Sequence, residues 1–158
     1  MNDIIIFDLD DTLYDKNNQL TDDYNYEDID KITPFPGVID FLSNHPSQKI
    51  LVTKETEPEF QNKKIEILKI KNLFDKITVC HSNLEKKRVF SQIMESNPNL
   101  TIWVVGDRIN SEIRYGNELG FQTVLLKTGK YKNLRPKDKY ELPNYEINQF
   151  NELKEIIT

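Results

Sequence analysis

The chain has 158 residues, a length that fits one domain with an ordinary hydrophobic core. Its formal net charge is -5, which argues against a nucleic-acid-binding surface built on bulk positive potential. Its apolar runs are far shorter than the roughly 18 residues of a membrane span. The first residues lead directly into a strand, without the basic segment and cleavage site of a signal peptide, so we expect a cytosolic protein.

Short apolar runs alternate with segments of helical periodicity along the chain. Five such strand and helix alternations predict a doubly wound, Rossmann-like parallel α/β sheet with helices on both faces. The helices include one that starts after Pro36-Gly37 and one from Ser82 to Asn97. The predicted strands are Ile4 to Phe7, Ile50 to Thr53, Ile77 to Cys80, Ile102 to Val105 and Thr123 to Leu126.

Two stretches are less regular than the rest. Residues 14–36 are rich in Asp, Asn and Tyr, and we interpret them as a flap or loop insertion beside the site. Residues 127–158 form a C-terminal extension that is predicted to end in a closing helix over 148–157. Neither stretch is long enough for a separate domain. We therefore predict one domain over residues 1–158 with no cap domain.

Polar side chains follow three of the predicted strands. Asp8 and Asp10 follow the first strand, Thr53 ends the second and Asp107 follows the fourth. The carboxyl ends of parallel strands meet at one edge of a sheet, where ligands of such folds bind. Three carboxylates there would repel one another unless a cation lies among them, and hard oxygen ligands without Cys or His favour Mg²⁺. An anionic substrate would suit this site, with Thr53 and Lys86 as contacts for phosphate oxygens.

These residues lie in four segments that resemble, in order, the four motifs of the haloacid dehalogenase superfamily. The resemblance covers roughly residues 3 to 127 and is specific because the four segments occur together. Two differences from the family pattern stand out: Lys54 follows Thr53, and the second acid of the fourth segment is Glu112, one turn into a helix. The segments are IIFDLDDTL at 5–13, LVTK at 51–54, the lysine of EKKRVF at 85–90 and VGDRINSE at 105–112.

The resemblance implies a magnesium-dependent phosphatase that hydrolyses a phosphomonoester through an aspartyl-phosphate. It makes Asp8 the nucleophile and Asp10 the general acid and base. It implies that Mg²⁺ is held by the Asp8 carboxylate, the Asp10 carbonyl and Asp107. Glu112 would contact the metal directly or through another ligand, although a stabilising role at the helix N-terminus is an equal alternative.

The resemblance also implies that Thr53 and a lysine bind the transferring phosphoryl group, but Lys86 and Lys87 are adjacent. At about 100° per residue the apolar residues of the helix that follows define one face, and Lys86 falls near its centre. Lys87 falls on the flank of that face. We therefore predict that Lys86 points at the sheet and contacts phosphate.

Two alternatives from other classes remain. A receiver-like phosphoacceptor signalling domain also gathers acidic residues, Thr and Lys around magnesium, but in a different chain order. A catalytically silent binding module would keep the fold without the chemistry. If the protein is an enzyme without a cap, its open site is typical of relatives that act on large phosphorylated substrates or that close the site by oligomerising. The residues do not identify the substrate.

Overall fold

The computed structural model describes residues 3–20 and 29–158, so residues 21–28 of the predicted flap lie outside the described residues. Six parallel strands form one sheet in the order β3-β2-β1-β4-β5-β6. This is the order of the doubly wound dinucleotide-binding fold, and it differs from the 2-1-3-4-5 order of flavodoxin-like receivers. The receiver-like alternative is therefore wrong. The strands are β1 Ile4–Phe7, β2 Gln48–Lys54, β3 Lys76–Cys80, β4 Ile102–Gly106, β5 Gln122–Leu126 and β6 Tyr145–Ile147.

Helices cover both faces of the sheet, as predicted. A π-helical turn over Ile109–Ile113 leads directly into the last α-helix, and short 3₁₀ helices cover Lys71–Leu73, Lys139–Glu141 and Phe150–Glu155. The α-helices are α1 Lys16–Gln19, α2 Val38–Asn44, α3 Pro58–Ile67, α4 Asn83–Ser96 and α5 Arg114–Glu118.

The core has two halves because successive side chains of β1 point to opposite faces of the sheet. Ile4 and Ile6 pack with Phe90 of α4 on one face. Ile5 and Phe7 belong to the other half, where the Phe7 ring lies 6.1 Å from that of Phe41 in α2. All four β1 side chains are fully buried. The strand is thus fixed between two apolar layers, which sets the position of the residues that follow it.

The predicted five strands are present, and the sheet has a sixth that the sequence did not indicate. Strand β6 has three residues, of which Tyr145 and Glu146 are exposed, so it shows no apolar run. The predicted closing helix over 148–157 is a 3₁₀ helix, Phe150–Glu155. It begins with a capping box in which Gln149 and Glu152 bond to each other's backbone.

The segments where a cap could be inserted are short in the described residues. Residues 13–20 and 29–36 hold α1 and an isolated bridge between Tyr14 and Pro34. Residues 54–81 hold α3, a 3₁₀ turn and β3. That the chain is one uncapped domain stays a prediction. In residues 3–20 and 29–158 no helix is both long and apolar enough to cross a membrane.

Candidate active site

Three carboxylates meet at the carboxyl edge of the sheet. Asp8 follows β1, and its backbone N–H donates to Val105 of β4 at 3.1 Å. Asp107 follows β4, and Glu112 lies in the π-helical turn after it. Asp8, Asp107 and Glu112 each offer an oxygen atom, and these atoms all lie within 4.8 Å of one another. All three residues are buried.

A glycine and a widened helical turn bring Glu112 to this edge. A Cβ on Gly106 would lie only 2.8 Å from the Cβ of Glu112, so a side chain at this position would push Glu112 away. In the turn itself, the N–H of Ile113 donates to the carbonyl of Arg108 at 3.3 Å, the spacing of a π-helix. The sequence predicted an ordinary helix around Glu112, and the structure places Glu112 in this wider turn instead.

Lys86 enters the same cluster from the first turn of α4. Its Nζ lies 3.0 Å from Oδ1 of Asp8 and 2.7 Å from Oε1 of Glu112. The Lys86 side chain is 2% exposed, whereas that of Lys87 is 47% exposed and pairs with Glu118 at 3.1 Å. Lys86 thus points at the sheet edge and Lys87 points away from it.

The charges of this cluster do not balance. Burial raises the pKa of Asp8 to about 7 against the opposing effect of Lys86, and the carboxylates of Glu112 and Asp10 add a smaller rise. Burial and the neighbouring carboxylates of Glu112 and Asp8 raise the pKa of Asp107 well above its ordinary value. Oε2 of Glu112 is buried without a hydrogen-bond partner. A cation that prefers carboxylate oxygens would lower the pKa values of Asp8 and Asp107 and would give Oε2 of Glu112 a partner. These residues fit Mg²⁺.

Asp10 lies in a different environment from Asp8. Oδ1 of Asp10 accepts hydrogen bonds from the Tyr14 hydroxyl and from Nζ of Lys64, the latter at 3.0 Å. Oδ2 accepts from Nε2 of Gln61 at 3.0 Å. Burial by itself would raise the pKa of Asp10, but Lys64, with help from the other donors, holds it below its ordinary value. The Asp10 carboxylate is therefore ionised and held at both oxygens.

Thr53 is buried at the end of β2 and does not belong to the residues that line the cavity above Asp8. Its Oγ1 accepts a hydrogen bond from Nε2 of Gln61 at 2.6 Å. Because Oγ1 acts as an acceptor in this bond, its own hydroxyl hydrogen can be donated to another group. Gln61 thus connects Thr53 to Asp10.

The cavity above Asp8 has an acidic floor and a rim that carries basic side chains. The floor contains the carboxylate cluster and Lys86. At the rim, the Arg108 guanidinium lies 4.2 Å from the centroid of the Tyr131 ring, a cation–π contact. The basic residues that line the cavity besides Lys86 are Lys16, Lys54, Arg108 and Lys130.

Sequence reasoning missed the residues that surround Asp10. Phe60, Lys64 and Leu68 recur every four residues, so Lys64 occupies a core position of α3. The periodicity argument that distinguishes Lys86 from Lys87 would also have indicated that Lys64 is buried. Gln61 has a similar signal, because Ile65 and Leu68 lie one and two turns after it, but this spacing does not indicate that its amide contacts Asp10.

Comparisons with known proteins agree with this architecture. Residues 86–153 match the sequence model of the HAD-hydrolase-like family. A segment of 53 residues is 36% identical to glyceraldehyde 3-phosphate phosphatase of Methanopyrus kandleri. That match covers 34% of this chain and 23% of the length of the relative.

Solved structures share the fold along almost the whole chain. A haloacid dehalogenase-like family protein from Streptococcus pneumoniae has a TM-score of 0.75 at 16% identity, over 99% of each chain. YfnB from Bacillus subtilis, solved with magnesium bound, has a TM-score of 0.73 at 18% identity, also over 99% of each chain. L-2-haloacid dehalogenase from Xanthobacter autotrophicus has a TM-score of 0.71 at 11% identity, over 99% of this chain and 98% of the other.

Proposed function

We propose that this chain is a hydrolase of the haloacid dehalogenase-like type, and that it is a magnesium-dependent phosphatase that acts on a phosphomonoester through a phosphorylated Asp8. The observation that carries the proposal is the position of Lys86, buried between Asp8 and Glu112 within a cluster of three carboxylates. A carboxylate nucleophile beside an ammonium and a cation site suits an anionic phosphoryl group. The carbon of a carbon–halogen bond is uncharged in the ground state, so its reaction with a carboxylate does not require a divalent cation beside the nucleophile.

Four residues would hold the metal in this proposal: Asp8, Asp107 and Glu112 through their carboxylates, and Asp10 through its backbone carbonyl. Bound Mg²⁺ would supply the positive charge that keeps the nearby carboxylates ionised and draws electrons from the phosphoryl oxygens. This role agrees with the raised pKa values of Asp8 and Asp107, since a nucleophile must be ionised to attack.

The chemistry on the chain itself has two steps. In the first, a carboxylate oxygen of Asp8 bonds to phosphorus and the ester P–O bond breaks. The leaving oxygen receives a proton from Asp10, which is ionised in the free protein and must therefore first take up that proton from the bound phosphomonoester or from water. In the second, water attacks the phosphorus of the aspartyl-phosphate while Asp10 takes one of its protons, which releases inorganic phosphate and restores Asp8. The three hydrogen bonds to Asp10 match the second step, in which it acts as a base.

Lys86 and Thr53 are the proposed contacts of the phosphoryl group. The Lys86 ammonium already lies 3.0 Å from Asp8, so an oxygen of a phosphoryl group bonded to Asp8 would come within its reach. Thr53 would donate its hydroxyl hydrogen while Oγ1 keeps the bond from Gln61.

The cavity rim suggests a substrate class. Arg108, Lys54 and Lys130 line the same cavity as Asp8 but lie outside the carboxylate cluster. We infer that the substrate carries negative charge beyond the reacting phosphate, and that Tyr131 beside Arg108 offers a surface for a planar group. An uncapped site would admit a large phosphorylated substrate, and this stays a prediction. Closure of the site by oligomerisation also stays a prediction.

An assay with p-nitrophenyl phosphate tests the proposal. We expect turnover with Mg²⁺, loss of turnover in EDTA, and loss of turnover in Asp8→Asn with Mg²⁺ present. A 2-haloacid serves as the counter-substrate, and halide release without phosphate release would contradict the proposal. If a panel of metabolite, nucleotide and peptide phosphates also gave no phosphate release, the silent binding module would be the better account. Within an active panel, a preference for substrates with more than one negative group would support the role of the rim.

A further inference from the structure

Helix α3 reaches the site through two side chains that neither the metal cluster nor the phosphoryl contacts include. Lys64 and Gln61 lie one turn apart on α3, and both are fully buried. Lys64 pairs with Oδ1 of Asp10 at 3.0 Å. Gln61 donates to Oδ2 of Asp10 at 3.0 Å and to Oγ1 of Thr53 at 2.6 Å.

We propose that Gln61 and Lys64 are positioning residues that hold the Asp10 carboxylate in place for proton transfer, and that Gln61 fixes Asp10 and Thr53 relative to each other. The inference rests on the proposed function, because it assigns the two residues to the proton-transfer steps of that reaction.

Lys64 is fully buried and therefore depends on a partner for its charge. A buried ammonium is unfavourable unless it is paired, and a lysine near the surface normally extends to water. Here the Nζ atom lies 4.6 Å from the centroid of the Phe60 ring and forms its ion pair with Asp10. The side chain is thus held in an apolar layer by a single carboxylate, so its position and that of Asp10 depend on each other.

Hydrogen-bond donors are distributed unevenly over the two oxygens of the Asp10 carboxylate. Each carboxylate oxygen has room for about two hydrogen bonds. Oδ1 has two donors, Tyr14 and Lys64, whereas Oδ2 has one, Gln61. Oδ2 is therefore the oxygen with capacity to exchange a proton with the leaving group or with water, and Gln61 is the residue that orients it.

The amide of Gln61 has a defined orientation. Its Nε2 lies between two acceptor oxygens, whereas its Oε1 is buried and has no hydrogen-bond partner. A reversed amide would bring Oε1 against the Asp10 carboxylate, so the two bonds fix the orientation shown. A buried acceptor without a partner lowers the stability of the folded state, which is consistent with a role for Gln61 in positioning Asp10 and Thr53 rather than in stability.

The test uses Gln61→Met, which keeps the length of the side chain and removes both hydrogen bonds. The control is Asn62→Met, because Asn62 is the next residue on α3 and is exposed. Two substrates are compared with Mg²⁺ present: p-nitrophenyl phosphate, whose leaving group needs little protonation, and glycerol 2-phosphate, whose alkoxide needs a proton from Asp10. The ratio kcat/KM is the quantity to compare, since it covers only the steps up to the first irreversible transfer.

General acid catalysis contributes about 10²–10⁴-fold, so a misplaced acid should affect the alkyl ester more than the aryl ester. We expect Gln61→Met to lower kcat/KM for glycerol 2-phosphate at least about tenfold more than for p-nitrophenyl phosphate. We expect Asn62→Met to change both equally or not at all. In an Asp10→Asn background, phosphorylation of Asp8 in a single turnover replaces steady-state turnover as the measurement, and Gln61→Met should no longer alter the ratio of phosphorylation rates between the two substrates.

Equal losses for the two esters in an active protein would overturn the inference and leave the proposed function intact. If the wild type hydrolysed neither ester, both would fail. If Gln61→Met does not fold, Lys64→Met and Gln61→Asn give the same comparison, because the first removes the ion pair and the second shortens the amide by one methylene. If kcat/KM fell equally for the two esters in each of these two variants, the inference would likewise be overturned.

Discussion

The ammonium group of Lys86 lies 3.0 Å from Oδ1 of Asp8, although 78 residues separate the two in the chain. Lys86 is centred on the apolar face of α4, and Asp8 directly follows a fully buried strand. Each residue thus takes its position from the core rather than from a surface loop. The pair is thus positioned by the packing of the core, which suits a site where charge develops on a transferring phosphoryl group.

This geometry predicts different results for two adjacent lysines. Lys86→Ala should lower kcat about 10²–10³-fold, because it removes a preorganised donor to the phosphoryl group. Lys87→Ala should leave the rate unchanged, because it removes an exposed pair with Glu118 that contributes about 0–1 kcal/mol to the free energy of unfolding. Steady-state kinetics on p-nitrophenyl phosphate, with circular dichroism to check folding, measure both effects. Equal activities, or a greater loss in Lys87→Ala, would contradict the assignment.

A second prediction concerns the metal. Asp107→Asn should weaken Mg²⁺ binding measured by isothermal titration calorimetry, since it removes one of three buried carboxylates. Asp138→Asn is the matched control, because the side chain of Asp138 is 46% exposed and pairs with Arg114. Tight binding that persists in Asp107→Asn would show that the ion lies elsewhere.

The prediction from Gly106 is that Gly106→Ala moves Glu112 out of the cluster. The added methyl group would lie 2.8 Å from the Glu112 side chain, so the wide turn must shift. We expect weaker Mg²⁺ binding with little change in the strand content, measured by calorimetry and circular dichroism. An alanine variant that binds Mg²⁺ like the wild type would show that Glu112 is not needed at that position.

The raised pKa values of Asp8 and Asp107 predict how the stability of the metal-free protein depends on pH. Burial, and then the neighbouring charges, raise the pKa of Asp8 from 3.8 to about 7. Between these values the folded state holds protons that the unfolded state has released, so the free energy of unfolding falls as pH rises. We expect the Tm in EDTA to be lower at pH 8 than at pH 5, and added Mg²⁺ to reduce the difference.

Asp107→Asn is the control for this dependence on pH. It removes one of the repelling carboxylates, so it should raise the Tm in EDTA at pH 8 relative to the wild type. Asp10 does not interfere, because its lowered pKa affects stability only below about pH 3.8. A wild-type Tm in EDTA that rises from pH 5 to pH 8 would contradict the electrostatic description of the site.

The fold could be predicted from the sequence where one physical cause dominates. Strand β1 was predictable because Ile4 to Phe7 are buried on both faces of the sheet. Strand β6 was not, because Tyr145 and Glu146 are exposed and the strand depends on pairing with β5. Its backbone hydrogen bonds leave no pattern in the side chains.

Some of the site residues could be predicted from the sequence and others could not. The order of residues along the strands was enough to expect Asp8 and Asp107 at one edge of the sheet, because carboxyl ends of parallel strands converge. The partners of Asp10 were not predictable, since Lys64 and Gln61 reach it through a tertiary contact of α3. A lysine in a helix normally faces solvent, and only its spacing from Phe60 indicates otherwise.

The most direct test of the account is to trap the phosphorylated chain. Asp10→Asn should still accept phosphate from p-nitrophenyl phosphate, whose leaving group needs little protonation, but it should lack the base for the second step. Acid quenching followed by intact-protein mass spectrometry should show one added phosphoryl group that peptide mapping assigns to Asp8, in Mg²⁺ but not in EDTA. The double variant Asp8→Asn with Asp10→Asn should show none. Turnover by the wild type without any phosphorylated species in Asp10→Asn, or a phosphoryl group on another residue, would contradict the central claim.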